Sequence, residues 1–290
     1  MFTDKPTIPA QLETLLDVIH AMRQRKANAD TLRQLIQPNG LPGLTPNSEQ
    51  LSKHLFAAQE LELVRIDENK DIRLAYQVRG EHQAMPAVLS AFDRIALADA
   101  SVEKWAGRFY AYLIVQEDDS VRSAEGEALA NRFMSDLPST VDKGNPMNAD
   151  KYRALMRWYP YVGLGWMDPS GTFVPDPTER IRRALSTIWE DDRKLDADRF
   201  IERLGRACPE LDGGRLFNEV TSSAYSASAR QCTQALATAL RCLHDEELLR
   251  LHCPADSLGW GLERAGRGVV AGEASNRFDA VERTARRSGT

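Results

Sequence analysis

The sequence predicts a mainly α-helical protein with small β-hairpin wings, built as tandem winged-helix domains joined by helical segments. Three observations carry that expectation. One apolar skeleton occurs twice in the same register: Leu15, Leu16 and Ile19 return as Phe200, Ile201 and Leu204, Leu32 and Leu35 as Phe217 and Val220, and Leu51 and Leu55 as Leu236 and Leu240. Within each copy the apolar spacing runs at helical period three times. It then becomes an extended run, Leu63 to Ile66 or Leu248 to Leu251, followed by polar residues suited to a turn. Helix, helix, helix, hairpin is the order of a winged helix.

The first helix spans about 11–22, with Leu12, Leu15, Leu16, Ile19 and Met22 on one stripe. A second starts near Asp30, its expected cap, and carries Leu32, Leu35 and Ile36. PNGLPGLTPNS breaks the pattern before a third helix from Ser48 to Glu60, the recognition position, with Leu51, Leu55 and Ala58 inward. LELVRI, DENKD and IRLAYQV then read as strand, turn, strand. The second copy repeats this with helices at 197–207, 214–221 and 233–245, Thr233 as a cap, and a wing formed by LLRLHC, PADS and LGWGL.

Between the copies, helices are expected at 86–99, 101–116, 124–137 and 149–159, followed by a GLGWM-DPSG-TFVP hairpin. This stretch has the same order of elements, but its apolar register matches neither copy by eye. PDPTERIRRALSTIW opens the next helix, with Asp176 as cap, Pro177 at the first position and Glu179 completing a capping box. After the GRGVVAGEAS connector, NRFDAVERTARR reads as a short basic helix. The expected domains are 1–84, 85–194 (mostly helical, with a further winged-helix-like unit), 195–262 and a basic tail, 263–290.

A net charge of −5 argues against a chain that coats nucleic acid by bulk electrostatics, and only the tail is basic, with six cations against four carboxylates. No signal-like segment or apolar run of membrane length is present, so a cytoplasmic location is expected, with the four cysteines reduced. Phosphate-cradling, dinucleotide, nucleophile-elbow and HExxH motifs are missing.

Three constellations bear on function. In the first copy the third helix and wing offer Gln50, Ser52, Lys53, His54, Arg65, Lys70 and Arg73 as nucleic-acid-binding residues, the helix for base edges and the wing for phosphates. Glu49, Ala57, Glu60, Glu62, Asp67 and Glu68 share that surface. Cys242, His244, His252 and Cys253 cluster in the second copy but lack zinc-knuckle spacing, so no metal is expected. Pro175-Asp176 with Asp192-Arg193-Lys194 imitates a magnesium nuclease pattern, but that chemistry needs adjacent strands, and a helix intervenes. No catalytic residue and no cofactor are assigned.

WYPYVGLGWMDPSGTFVPDPTERIRRAL, FIERLGRACPELDGGRLFNEV and ALATALRCLHDEELLRLHCPADSLGWGL, with the N-terminal unit ending in ELELVRI, resemble the DpdG family. The resemblance implies a protein encoded in bacterial clusters that insert 7-deazaguanine derivatives into DNA and restrict unmodified DNA, and it brings no active-site residues. Together these readings point to a non-catalytic winged-helix adaptor in a phage-defence system. Its partners would be double-stranded DNA, met through the first copy, and helicase or nuclease subunits. The alternative is a sequence-specific transcriptional regulator, which requires a dimer and a palindromic site.

Overall fold

The structure, a computed structural model, describes residues 2–4, 7–22, 27–37, 48–78, 84–98, 104–116, 126–139, 141, 144–221, 230–252, 259–262 and 277–284. The first group of elements is α1 (Pro9–Ala21), α2 (Ala29–Ile36), α3 (Ser48–Glu60) and the antiparallel pair β1 (Val64–Ile66) and β2 (Ile72–Leu74). Leu12, Leu15, Leu16, Ile19, Leu32, Leu51, Leu55 and Ala58 are buried, as their spacing predicts, whereas Leu35 is exposed. The cap of α2 is Asn28 and not Asp30: its side chain accepts from the Thr31 N–H, and Asp30 sits in the first turn.

The middle group comprises α4 (Ala84–Ala91), a π-helical turn (Phe92–Ala96), α5 (Lys104–Val115), α6 (Gly126–Asp136), α7 (Ala149–Tyr161), the antiparallel pair β3 (Gly165–Met167) and β4 (Phe173–Pro175), and α8 (Thr178–Trp189). From α7 to β4 this group is in register with the first, contrary to the expectation from apolar spacing. Ser48–Glu60 corresponds to Ala149–Tyr161, Val64–Ile66 to Gly165–Met167, and Ile72–Leu74 to Phe173–Pro175, without insertion.

The backbone bonds show why. Leu61 N–H reaches Ala57 O and Leu63 N–H reaches Ala58 O, with Glu62 between them at φ 53. Val162 to Trp158, Leu164 to Tyr159 and Gly163 at φ 70 repeat that helix stop, as do Glu246 to Cys242, Leu248 to Leu243 and Glu247 at φ 57 in the third group. Each is a left-handed C-cap in which the last carbonyls of the helix find donors and the chain turns straight into a strand.

The two hairpins also share one turn. Asp67 N–H bonds to Asp71 O, and its carboxylate accepts from the Asn69 and Asp71 N–H groups; Asp168 does the same with Thr172 O, Ser170 and Thr172. Lys70 and Gly171 both adopt positive φ. Apolar identity changes between the copies (Leu51 becomes Tyr152, Ala57 becomes Trp158), which hides the match from a reading of hydrophobic spacing.

The third group has β5 (Lys194–Asp196), α9 (Ala197–Ala207), α10 (Arg215–Thr221), α11 (Gln234–Asp245), β6 (Leu249–His252), β7 (Trp260–Gly261), β8 (Arg277–Phe278) and β9 (Ala280–Arg283). Thr233 caps α11 as predicted, accepting from the Leu236 N–H, and is itself held by the buried carboxylate of Asp212. The expected wing is corrected. Leu249–His252 pairs with Ala280–Arg283 and not with the LGWGL segment, whose Trp260–Gly261 pairs instead with Arg277–Phe278; PADS lies outside the described residues.

The terminal helix expected from NRFDAVERTARR is likewise replaced over 277–283 by two strands, the second being the centre of a three-stranded antiparallel sheet, β5-β9-β6. Phe278 and Val281 are both fully buried and three residues apart, which looks like helical period. A break at Asp279 resets the strand phase: its N–H goes to His252 O and its carbonyl accepts from Ala197 N–H. The helix after PDPT starts one residue later than expected. The Asp176 carboxylate accepts from Thr178 N–H and hydroxyl, and Glu179 pairs with Arg182 rather than closing a capping box.

Phe278→Ala should lower the unfolding free energy by about 3–5 kcal/mol, the range for truncating a buried aromatic. Denaturant unfolding measures it. A tail outside the core would make the change silent.

Candidate nucleic-acid interface

Helix α3 turns one stripe, with Leu51, His54, Leu55 and Ala58, into the core, so only part of its predicted contact set reaches solvent. Ser52 is exposed, Gln50 is half-buried, and Lys53 is half-buried with its ammonium 2.8 Å from Glu49. His54 and Ala57 are not surface residues, with 4% and 0% exposure. His54 stands three residues after Leu51 and four before Ala58, on the inward stripe of the helix, and its polarity disguised that position.

What His54 does instead is structural. The Ile8 N–H donates to its Nε2 (3.2 Å), which fixes the proton on Nδ1, and Nδ1 donates to Gln50 O (2.7 Å). Ile8 is the N-cap residue of α1 and has no side-chain cap, so the imidazole ties the start of α1 to α3. Burial holds the His54 pKa below its ordinary value of 6.5.

The hairpin meets the expectation more fully. Arg65, Lys70 and Arg73 are all exposed. Arg65 and Arg73 are direct cross-strand partners, so two guanidinium groups stand on one face of a two-stranded ribbon, with Lys70 at the turn. Like charges placed opposite each other cost a few tenths of a kcal/mol. Nearby carboxylates only partly offset them. Glu62 is taken by Arg94 at 2.7 Å, and Asp67 binds its own turn, with Arg73 at 3.8 Å. Sequence spacing identifies these residues but not their opposition, which depends on strand register.

The equivalent helix of the third group is partly covered. Helix α11 lies against α8, with Arg182 2.6 Å from Glu246. Gln234 and Thr238 are exposed, and Arg241 is half-buried. Of the metal-like cluster, His244 Nδ1 accepts from Leu251 N–H and His252 pairs with Glu282 at 2.9 Å, while Cys253 lies outside the described residues. The nuclease-like residues are not brought together. Asp176 and Asp192 flank opposite ends of α8, about 18 Å long for its 12 residues, and Asp192 is bound by Arg203 at 2.7 Å.

A family model described as DpdG-like matches residues 2–257. The chain belongs to the DpdG-like family. The match reaches into all three groups of elements and stops before β7, β8 and β9. No curated protein and no solved structure shows significant similarity to this DpdG-like chain. Among its described residues no helix is long and apolar enough to cross a membrane.

Because the folded-state pKa of His54 is depressed, its contribution to stability is present above pH 6.5 and is lost as the pH falls from there through the lowered value. Thermal melts at pH 7.5 and 5.5 should show a destabilisation on acidification that His54→Gln reduces. An equal loss in the variant contradicts this role.

Proposed function

We propose that this DpdG-like protein is a non-catalytic adaptor of a DNA modification and restriction system. In this reading the three groups are winged helices, corresponding to domains 1–84, 85–194 and 195–262, and in the third the wing strand β6 takes its partner β9 from beyond that range. The first touches double-stranded DNA, and the others engage one another and protein partners such as helicase or nuclease subunits.

The observation that carries the reading is the cross-strand Arg65–Arg73 pair with Lys70 at the tip of one exposed ribbon. Guanidinium groups opposed in this way gain when an anion enters between them, and a duplex backbone supplies regularly spaced phosphates. Ser52 and Lys53 on α3 lie on the outer side of the neighbouring helix, with Gln50 half-buried beside them. The contact set is small: a few phosphates and little base readout. Weak, salt-sensitive binding follows, which suits an adaptor held at DNA by its partners better than a regulator that must find one site alone. Three groups of which one carries opposed cations on its ribbon fit the same division of labour.

Fluorescence anisotropy against pooled random duplex should show binding that disappears between low and physiological salt. Lys70→Ala with Arg73→Ala should weaken it and flatten the log-log salt slope by about 0.9 for each phosphate no longer neutralised. Binding that persists at physiological salt, with a dimeric protein and a selectable palindrome, would replace the adaptor with a sequence-specific regulator. An unchanged slope in the variant would place the DNA contact elsewhere.

A further inference from the structure

The middle group carries the same scaffold as the first but a different surface. Trp166 occupies the place of Arg65 on the ribbon and is 51% exposed, with Met167 beside it at 39%. Trp105, Phe109, Tyr110, Phe133, Trp158, Tyr159 and Phe173 of this group are at most 3% exposed, and Tyr152 and Tyr161 are half-buried. The cross-strand partner of Trp166 is Val174, where the first hairpin has Arg73. An indole ring therefore stands on an apolar ribbon face, and no hydrogen bond is formed by its N–H among the described residues.

The cations lie on the helix instead. Arg153 and Arg157 project from α7 one turn apart, both exposed, at the positions of Ser52 and Phe56 in α3. Arg157 makes no ion pair among the described residues, and Arg153 is paired with Asp150, an exposed contact of small worth. The carboxylate in the turn of the ribbon, Asp168, is occupied by Ser170 and Thr172, and those hydrogen bonds, that of the Ser170 hydroxyl foremost, hold its pKa below the ordinary value.

We infer that Trp166, with Arg153 and Arg157, forms a second nucleic-acid contact, one that takes single-stranded DNA by stacking an unpaired base on the indole while the guanidinium groups meet the backbone. Strand β3, which carries Trp166, packs against α7, which carries both arginines, and an exposed aromatic on one element with cations on its neighbour is the combination that single-strand binders use. Residues four apart on a helix are separated by about 6 Å of rise, comparable to successive phosphates of an extended strand. A flat ring on a ribbon cannot read a closed base pair edge-on, but it offers a face to any unstacked base. Every base has such a face, so the contact is sequence-tolerant. The inference goes beyond the duplex contact at Lys70 and Arg73 and uses none of its residues.

Intrinsic fluorescence of the full chain tests it, because Trp105, Trp158 and Trp189 are buried and Trp166 is the most exposed tryptophan. A short oligothymidylate at low salt should quench and protect the acrylamide-accessible emission. Trp166→Ala should weaken binding about tenfold, as removal of one stacked base does, and Trp166→Phe should restore most of it. Arg153→Ala with Arg157→Ala should flatten the salt slope by about 0.7 per phosphate no longer neutralised.

Lys70→Ala with Arg73→Ala, run in parallel, should weaken duplex binding and leave oligothymidylate binding unchanged. If the oligothymidylate does not quench, or binds Trp166→Ala within twofold of wild type, the inference falls. Duplex binding that still depends on Lys70 and Arg73 would then leave the adaptor reading standing and assign the Trp166–Met167 face to a protein partner.

Discussion

Arg180 decides how this molecule holds together. Its guanidinium is buried in α8, donates to Glu210 at 2.9 Å and to Ala207 O at 2.8 Å, and stands 3.5 Å from Asp93. Asp93 in turn receives both arms of Arg183. Glu210 is fully enclosed, and burial raises its pKa against the lowering pull of Arg180, so the carboxylate depends on that one cation. Removing either partner from such a pair costs about 3–5 kcal/mol, because the survivor stays buried and uncompensated. The pair joins α8 to the loop after α9 and, through Asp93, to the π-helical turn after α4. Two further arginines extend the fastening: Arg203 caps the carbonyls of Ile188 and Trp189 at the end of α8, and Arg108 on α5 grips Glu219 on α10. Buried charge thus adds its fastening to an apolar core that runs continuously through all three groups.

The N-terminal segment acts similarly on the other side. Trp158 stacks on Phe92 with centroids 5.3 Å apart and donates its N–H to Thr7. Lys151, with no exposed surface, is satisfied by Asn145 O, Asn145 Oδ1 and Pro146 O and lies 3.5 Å from Asp4. His54 holds Ile8 from α3. Asp4, Thr7 and Ile8 therefore contact both equivalent helices, α3 and α7, and His54, a candidate binding residue in the sequence, is consumed in doing so.

What was legible in the sequence follows from what repeats reveal. Helical period and the Leu63 to Ile66 and Leu248 to Leu251 runs located most elements, because burial of a stripe is a local constraint on residue type. The register of the middle group was hidden because its repeat is kept in the backbone: the helix stop at Glu62, Gly163 and Glu247 needs a positive φ, and three different neighbourhoods supply it. Strand β9 was hidden for the opposite reason. Its pairing with β5 and β6 joins segments distant in sequence, and nothing local to Ala280–Arg283 records that. At the candidate interface the exposed ribbon cations were legible, and the burial of His54 was not, since a satisfied core histidine and a surface one look alike without their partners.

One scaffold repeated with different surfaces makes the location of any DNA contact the decisive fact. Photo-crosslinking of the full chain to duplex DNA, followed by mass-spectrometric mapping of the linked peptides, reads that location directly. Links concentrated in residues 49–53 and 65–73 are the predicted result. Links confined to α11 and β6 would contradict a duplex contact at the first ribbon.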